Sequence, residues 1–311
     1  MMDGVIDNSR RMIRRGSKSF SAAARLFDKS TRESAYMLYA WCRYCDDQID
    51  GQNLGLGPAA ACPASLAQIK NLCRETRHAL AGDTMTHPVF IAFQRVVQQH
   101  RIPHRYPLEL LEGFAMDVEQ RRYPDLEDTL LYCYHVAGVV GIMMAHVMGV
   151  RDQESLHRAA DLGIAFQLTN IARDVMDDAR VGRIYLPAGW LEDSGITAGE
   201  MQHPRHRRTV CAAVRRLLLE AEPYYHSAVQ GFSSLGFRSA WAVATARGVY
   251  RDIGRLVAKR GPDAWDRRAV VSRRRKMYRA LQGGAQALAA VSLGRLRRQT
   301  PRGNLWRKSD L

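Results

Sequence analysis

Three oxygen-bearing side chains recur every fourth residue in one stretch of this sequence, at Asn170, Asp174 and Asp178. On an α-helix this spacing places them along one face. The neighbouring residues are mostly apolar, so the helix is otherwise suited to burial. A buried carboxylate is costly unless a cation meets it, and a hard divalent cation prefers oxygen ligands. The stretch predicts either a metal site or a polar stripe that faces water.

A second acidic cluster ends an aromatic, apolar segment, with aspartates at Asp46, Asp47 and Asp50. Like charges four residues apart destabilise a helix by about 0.2–0.5 kcal/mol, so local stability does not explain the spacing. Two carboxylates on one helix face can hold Mg²⁺, which completes its shell with water and substrate phosphate. A solvated helix end is the alternative. Two clusters of the same design, both in apolar settings, favour the metal site.

Cationic and hydroxyl side chains that suit a phosphate lie close to both clusters. Arg43 precedes the first cluster, Arg173 lies within the second, and Arg183 follows it. A guanidinium matches phosphate oxygens bidentately, although the same residues would also neutralise a helix end. The turn Gly16-Ser17-Lys18-Ser19-Phe20 can hold an anion at a helix start. Serine is also an ordinary helix cap, so this turn alone does not decide between the two interpretations.

Helical periodicity covers nearly the whole chain, whereas alternating strand patterns are scarce. We therefore predict an all-α fold with a single domain over residues 1–296 and a basic, poorly ordered tail over residues 297–311. Helices are predicted near residues 5–14, 19–27, 31–50, 64–81, 86–100, 106–122, 125–149, 152–180, 207–231, 235–260 and 265–293.

Residues 130–150 contain no Asp, Glu, Lys or Arg and are long enough to cross a membrane. His135, His146 and three glycines favour instead the central helix of a large bundle. The small residues of this segment fit two roles, because they can line a tunnel for a hydrocarbon or allow helices to pack closely. The sequence does not distinguish these roles.

Composition and charge limit the classes of protein to be considered. The chain has 311 residues, 46% of them hydrophobic, and a formal net charge of +15. No secretory signal is visible, and the scattered cysteines favour a reducing compartment, so we predict a cytoplasmic protein. Residues 260–311 contain 14 Lys and Arg against three Asp, a net charge of +11. This end predicts peripheral association with an anionic membrane surface or a solvated terminus. Nucleic acid is not expected, because it would leave both acidic clusters unexplained.

Several segments together resemble the squalene/phytoene synthase family, particularly its bacterial carotenoid branch. The resemblance runs from about residue 9 to residue 290. Its main motifs are Ser17-Lys18-Ser19-Phe20, Tyr39-Ala40-Trp41-Cys42-Arg43 with Asp46-Asp47-Gln48-Ile49-Asp50, Gln167-Leu168-Thr169-Asn170-Ile171-Ala172-Arg173-Asp174 with Asp178, and Arg183-Ile184-Tyr185-Leu186-Pro187. Gly16 departs from relatives that carry a larger polar residue at that position.

The resemblance implies a helical isoprenoid synthase fold in which two acidic motifs face each other across a central cavity. It also implies head-to-head condensation of two geranylgeranyl diphosphates, through a cyclopropyl diphosphate, to phytoene. Mg²⁺, or Mn²⁺ in its place, would be bound by Asp46, Asp50, Asn170, Asp174 and Asp178. Diphosphate or the adjoining allylic carbons would contact Ser17, Lys18, Ser19, Phe20, Tyr39, Arg43, Gln167, Arg173 and Tyr250.

The chemistry of these residues agrees with such a reaction. Breaking an allylic C–O bond leaves a carbocation and a highly charged diphosphate, which metals and arginines stabilise. An apolar pocket protects the cation from water, and aromatic faces such as those of Phe20 and Tyr39 stabilise it. No strand–G-x-G-x-x-G–helix unit occurs, so NADPH is not expected. The alternative substrate is farnesyl diphosphate, which would give a C30 product of the dehydrosqualene or squalene type.

Overall fold

The computed structural model describes residues 2–16, 18–51, 65–293 and 301–308, and all regular structure within these ranges is helical. The predicted all-α class is therefore confirmed. The α-helices are α1 (Met2–Gly16), α2 (Lys18–Ala24), α3 (Lys29–Asp50), α4 (Leu66–Ala81), α5 (Pro88–His100), α6 (Arg105–Val118), α7 (Leu126–Cys133), α8 (Val139–Val147), α9 (Gln153–Arg180), α10 (Ala188–Glu192), α11 (Arg207–Gln230), α12 (Phe237–Arg260) and α13 (Arg273–Leu293).

The last predicted helix, over residues 265–293, was wrong at its start, because α13 begins only at Arg273. Gly261, with φ of 62°, ends α12, and residues 261–265 form a 3₁₀ turn. Ser272 then caps α13 by accepting a hydrogen bond from the backbone N–H of Arg275 at 3.3 Å. The cap satisfies an N–H at the helix start and places the boundary there.

Helix α3 is bounded by two local signals and carries the first acidic cluster in its last turns. Asp28 caps its start by accepting from the backbone N–H of Thr31 at 3.0 Å, and Gly51, with φ of 61°, ends it. Trp41 is completely buried and stacks on Phe93 with the ring centroids 4.2 Å apart. Burial of this aromatic face fixes the rotation of α3 against α5.

The uncharged segment is the central helix of the bundle, as the sequence favoured. A helical stretch over residues 126–147 is long and apolar enough to span a membrane, but 67% of its most apolar window is buried inside the protein. It runs as α7, a π-helical turn (Tyr134–Gly138) and α8. A helix that is apolar on all sides fits the core of a large protein.

Close helix packing explains the small residues on this segment. A Cβ atom added to Gly141 would lie 2.3 Å from the carbonyl oxygen of Ala159 in α9. A Cβ added to Gly163 of α9 would lie 2.2 Å from the carbonyl oxygen of Ala137. The two helix backbones therefore touch at these glycines. These glycines therefore serve close helix packing and not the lining of a hydrocarbon tunnel, the other role that the sequence left open.

Part of the basic tail lies against the core. Arg302 pairs with the carboxylate of Asp161, which is completely buried, and Lys308 pairs with Glu109 at 3.0 Å. The ring of Trp306 lies 6.0 Å from that of Tyr134. The predicted domain boundary near residue 296 falls in residues 294–300, outside the described ranges, and stays a prediction.

Candidate active site

The first acidic cluster lies on one face of the end of α3. The guanidinium of Arg43 contacts the Asp46 carboxylate at 2.5 Å and donates to the hydroxyl of Tyr39 at 3.4 Å. Gly16, at the end of α1, approaches the same hydroxyl so closely that a Cβ there would lie 2.5 Å from it. In this chain the position therefore has no room for a larger side chain unless Tyr39 moves.

The second acidic cluster lies along α9. Arg173 forms a bidentate pair with Asp174, with its Nε 2.8 Å from Oδ1, and Arg268 approaches the same carboxylate at 3.3 Å. Asn170 donates to the side-chain oxygen of Gln167 at 3.2 Å. Arg268, from the segment before α13, therefore joins this cluster.

The end of α9 turns the chain so that the two clusters meet. Gly182, with φ of 79°, allows the N–H of Arg183 to return to the carbonyl of Asp178 at 2.9 Å. Glycine favours this left-handed helix ending. The side chain of Arg183 then reaches α3 and pairs with Asp50 at 2.7 Å. One guanidinium thus bridges the ends of α3 and α9.

A third acid, Asp117 of α6, lies between the two clusters. It accepts hydrogen bonds from the hydroxyls of Tyr132 at 3.0 Å and Tyr185 at 2.7 Å. The two phenol rings stack with centroids 4.6 Å apart. Asp117 is not among the site residues that the sequence predicted. The available signal in the sequence was an acid that directly follows the uncharged residues 113–116.

The electrostatics of the clusters indicate carboxylates with too little cationic compensation. Removal from water raises the pKa of Asp46 to about 7, opposed by Arg43 and increased by Asp50. Burial and the neighbouring Asp174 raise the pKa of Asp178 to about 8. Carboxylates held this far above their ordinary pKa favour the arrival of a proton or a metal cation.

The pKa of Asp117 is raised to about 6, mainly by burial and against the opposing charge of Arg183. Among its further influences is Asp50, which raises the pKa, and Asp117 in turn raises the pKa of Asp178. The three acidic positions therefore act on one another across the space between α3, α6 and α9.

The donor set fits a hard divalent cation. The side-chain oxygen of Asn170 is buried and has no hydrogen-bond partner among the described residues. Carboxylate and amide oxygens are the ligands that Mg²⁺ accepts. Within the described ranges no three acidic, cysteine or histidine side chains already converge on one point, because Asp46, Asp50 and Asp174 pair with arginines instead.

An aromatic group adjoins the acidic clusters. The rings of Phe166 and Tyr250 stack with centroids 4.1 Å apart, and Phe20 lies 5.9 Å from Tyr250 and 6.4 Å from Tyr39. Phe20 is 38% exposed, whereas Tyr250 is buried. The structure thus brings α2, α3, α9 and α12 together at an aromatic surface beside the arginines of the site.

Some predicted substrate contacts lie outside the described residues, and two arginines of α12 bind partners away from the acidic clusters. Ser17 is not among the described residues, and only the backbone is described for Lys18 and Ser19. Arg247 donates to the carbonyl of Tyr225 at 2.7 Å, and Arg251 pairs with Glu222 of α11. Of Arg247, Tyr250 and Arg251 on α12, only Tyr250 therefore joins the aromatic group.

Comparison with known proteins agrees with this arrangement. The family model described as squalene/phytoene synthase matches residues 13–275, which is most of the chain. The chain belongs to the squalene/phytoene synthase family. The resemblance inferred from the two acidic motifs is therefore confirmed. The family is in general divalent-metal dependent.

Two relatives show how far the family likeness extends. The chain is 51% identical over 297 residues to the 15-cis-phytoene synthase of Pantoea ananas, covering 94% of both chains. It is 47% identical over 277 residues to the 15-cis-phytoene synthase of a Paracoccus species, covering 89% of this chain and 90% of the relative.

Solved structures of the family share the helical architecture. A dehydrosqualene synthase in complex with a ligand superposes with a TM-score of 0.81 at 26% identity, covering 92% of this chain and 98% of that one. A squalene synthase from Alicyclobacillus acidocaldarius superposes with a TM-score of 0.73 at 26% identity, covering 83% and 94%. The predicted isoprenoid synthase fold is confirmed.

Proposed function

We propose that this protein is a 15-cis-phytoene synthase that catalyses the first step of carotenoid biosynthesis. It condenses two geranylgeranyl diphosphates head to head, through prephytoene diphosphate, and releases diphosphate. The observation that carries this proposal is the 51% identity to a 15-cis-phytoene synthase over 94% of both chains. The facing acidic clusters and the adjoining aromatic group supply the chemistry that such a reaction needs.

The acidic clusters serve as the two walls of a metal and diphosphate site. When bound, Mg²⁺ or Mn²⁺ neutralises the negative charge that develops on the departing diphosphate. The residues proposed to hold the metal are Asp46, Asp50, Asn170, Asp174 and Asp178. Arg43 and Arg173 lie beside these ligands and exchange a carboxylate for a phosphate oxygen when substrate enters, because guanidinium binds both bidentately.

The remaining proposed substrate contacts orient the prenyl chains and exclude water. Phe20, Tyr39 and Tyr250 present aromatic rings close to the arginines, where a carbocation forms beside the departing diphosphate. Gln167 and the hydroxyls and ammonium of Ser17, Lys18 and Ser19 are proposed to contact diphosphate.

The substrate assignment is tested with purified protein that is offered each prenyl diphosphate separately, with and without Mg²⁺. We expect C40 phytoene from geranylgeranyl diphosphate, dependent on the metal and unaffected by NADPH, as detected by mass spectrometry. A C30 hydrocarbon formed from farnesyl diphosphate in preference to phytoene would contradict the proposal. The 26% identity to a dehydrosqualene synthase makes that comparison necessary.

The protein is further proposed to act in the cytoplasm at the surface of an anionic membrane, where its prenyl substrates and product partition. The outer face of α13 supports this part of the proposal. Residues 280–293 contain no charged residue, yet Leu281 is 75% exposed and Leu288 is 60% exposed. Arg273 and Arg274 at the start of the helix are also exposed. An apolar helix face with basic residues at one end suits an interface of anionic lipid.

Vesicle sedimentation tests this surface. We expect wild-type protein to bind vesicles that contain phosphatidylglycerol more strongly than phosphatidylcholine vesicles, and Leu281→Gln to weaken that binding. Leu219 of α11 is 71% exposed and provides a matched control, because Leu219→Gln changes an equally exposed leucine on another surface. Equal effects of the two substitutions, or no vesicle binding by wild type, would refute the assignment of α13.

A further inference from the structure

Arginines line a small cavity between α12 and α13 that contains none of the proposed metal or diphosphate ligands. The cavity has a volume of about 50 Å³. Its charged and amide-bearing lining residues are Arg247, Arg251, Arg255, Arg279, Gln282 and Gln286. The two helices approach closely here, since a Cβ on Gly283 would lie 2.9 Å from the backbone nitrogen of Thr245.

Arg247 is the lining arginine that forms no ion pair with a carboxylate among the described residues. It is 7% exposed, and its Nε donates to the backbone carbonyl of Tyr225 at 2.7 Å. Its two terminal nitrogens make no hydrogen bond or ion pair within the described ranges. A guanidinium has five donor hydrogens, so this side chain retains donors directed at the cavity.

The neighbouring arginines are paired, but the group as a whole is strongly positive. Arg251 pairs with Glu222, and Arg279 pairs with Asp252. Asp252 is shared further with two more arginines, Arg275 at 2.8 Å and Arg255 at 3.8 Å. Together with Arg275, which does not line the cavity, the four lining arginines share the two carboxylates of Glu222 and Asp252, so this group of side chains carries an excess of three positive charges.

This excess has an energetic consequence for the folded protein. Burial, followed by the repulsion of Arg251, lowers the pKa of Arg247 to about 10 against the weaker attraction of Glu222. A buried charge without a counter-ion is unfavourable, and the other arginines already use the local carboxylates. A bound anion would supply the missing negative charge and accept hydrogen bonds from the free donors of Arg247.

We propose that this cavity is a binding site for a phosphate group, with Arg247 as its principal donor. The volume of the cavity also suits a phosphate group. A single water needs about 10–15 Å³ of such volume, so the cavity has room for a few non-hydrogen atoms, as in one tetrahedral oxyanion. Planar guanidinium matches phosphate oxygens bidentately, and the Gln286 amide lies among the lining groups. The phosphate group belongs either to free phosphate or diphosphate or to a lipid headgroup.

Calorimetry on the purified 311-residue protein tests the site. Inorganic phosphate and diphosphate are titrated separately in EDTA, which removes the metal that diphosphate binding at the acidic clusters requires. We expect saturable binding that persists in Arg173→Gln, a change in the active site, and that is at least tenfold weaker in Arg247→Gln. Circular dichroism of each variant verifies the fold. Binding lost in Arg173→Gln but unchanged in Arg247→Gln would overturn the proposal.

Vesicle binding distinguishes the two possible sources of the phosphate group, a lipid headgroup and a free anion. If the site takes a lipid headgroup, Arg247→Gln weakens binding to phosphatidylglycerol vesicles while free phosphate binds to neither protein. If Arg247→Gln alters neither free-phosphate nor vesicle binding, the proposal is wrong.

A second variant keeps the test decisive should Arg247→Gln fold poorly. Gln286→Glu places a carboxylate among the same arginines, so we expect a higher Tm in phosphate-free buffer. We also expect it to abolish the rise in Tm that phosphate produces in the wild-type protein, because the added carboxylate takes the place of the anion. An unchanged or lower Tm together with undiminished phosphate binding would contradict the site.

Discussion

Arg183 and Asp50 form the contact that joins the two acidic helix ends, with Nη2 of the arginine 2.7 Å from Oδ1 of the aspartate. The pair brings the loop after α9 onto the last turn of α3. Burial alone would lower the pKa of Arg183, but the neighbouring Tyr185, Asp117 and Asp50 outweigh it, so the pKa is raised. Arg183 therefore remains a fixed cation between two groups of carboxylates.

Replacing this cation should impair catalysis more than folding. We expect Arg183→Gln to lower kcat by about 10²-fold, because a preorganised donor beside the diphosphate site is lost. Arg180→Gln is the matched control, since Arg180 lies three residues earlier and pairs on the surface with Asp177 at 2.5 Å. Steady-state phytoene formation is the measurement. Equal activity of the two variants would argue against a catalytic role for the Arg183–Asp50 ion pair.

The acidic residues of α9 offer a test of the metal assignment within one helix. We expect Asp174→Asn to lower phytoene formation by at least about 10²-fold with the fold retained, because a proposed metal ligand is removed. Asp177→Asn changes an exposed carboxylate in the same helix and should leave activity close to wild type. Comparable losses of activity in both variants would contradict the assignment of Asp174 as a metal ligand.

The raised pKa of Asp178, about 8 against an ordinary 3.8, predicts a pH effect on metal-free stability. Between these values the folded protein binds more protons at this site than the unfolded chain does. The stability that it contributes is therefore fully present below pH 3.8 and is lost as the pH rises through 8. Thermal unfolding without metal should show less of this decline in Asp178→Asn than in wild type.

Metal binding should release protons for the same reason, because a carboxylate must ionise to become a ligand. Titration of Mg²⁺ at pH 7 in buffers with different ionisation enthalpies measures that release. We expect it to fall in Asp178→Asn and to persist in Asp177→Asn. A buffer-independent heat in the wild-type protein would show that Asp178 is already ionised.

The contact between α9 and the central helix predicts a site of low tolerance. Gly163→Ala should destabilise the protein by about 1–3 kcal/mol, because its Cβ would overlap the carbonyl of Ala137. Gly4→Ala in α1 meets no atom within 4 Å and should be neutral or slightly stabilising. Denaturant unfolding compares the two. Equal stability of the variants would rule out backbone contact at Gly163.

Residues 301–308 lie against the core, so we expect them to stabilise the fold apart from any role at a membrane. Arg302→Ala should lower stability by about 3–5 kcal/mol, because it leaves the buried charge of Asp161 without its cation. Arg307→Ala, an exposed arginine in the same segment, is the control. Chemical unfolding measures the difference. A loss in Arg302→Ala no greater than in the control would mean that Asp161 does not need this partner.

The sequence by itself determined the helical class, most helix positions and the two acidic walls. Those features depend on local spacing, since Asn170, Asp174 and Asp178 share a helix face whatever packs around them. The absence of charged residues from segment 130–150 also predicted that this segment is buried in the core. The helix at residues 265–293 was misplaced at its start because periodicity does not reveal where a serine cap will act.

Tertiary structure decided which distant groups meet. Asp117 joined the site only because α6 packs against α3 and places this carboxylate near both walls, and Arg183 reached Asp50 only because Gly182 turned the chain back. The backbone contacts at Gly141 and Gly163 depend equally on a partner helix. Charge alone likewise could not show that Arg302 pairs with the buried Asp161 whereas Arg247 forms no ion pair among the described residues. The number of opposite charges within reach of a side chain is a property of the packed helices and not of the chain.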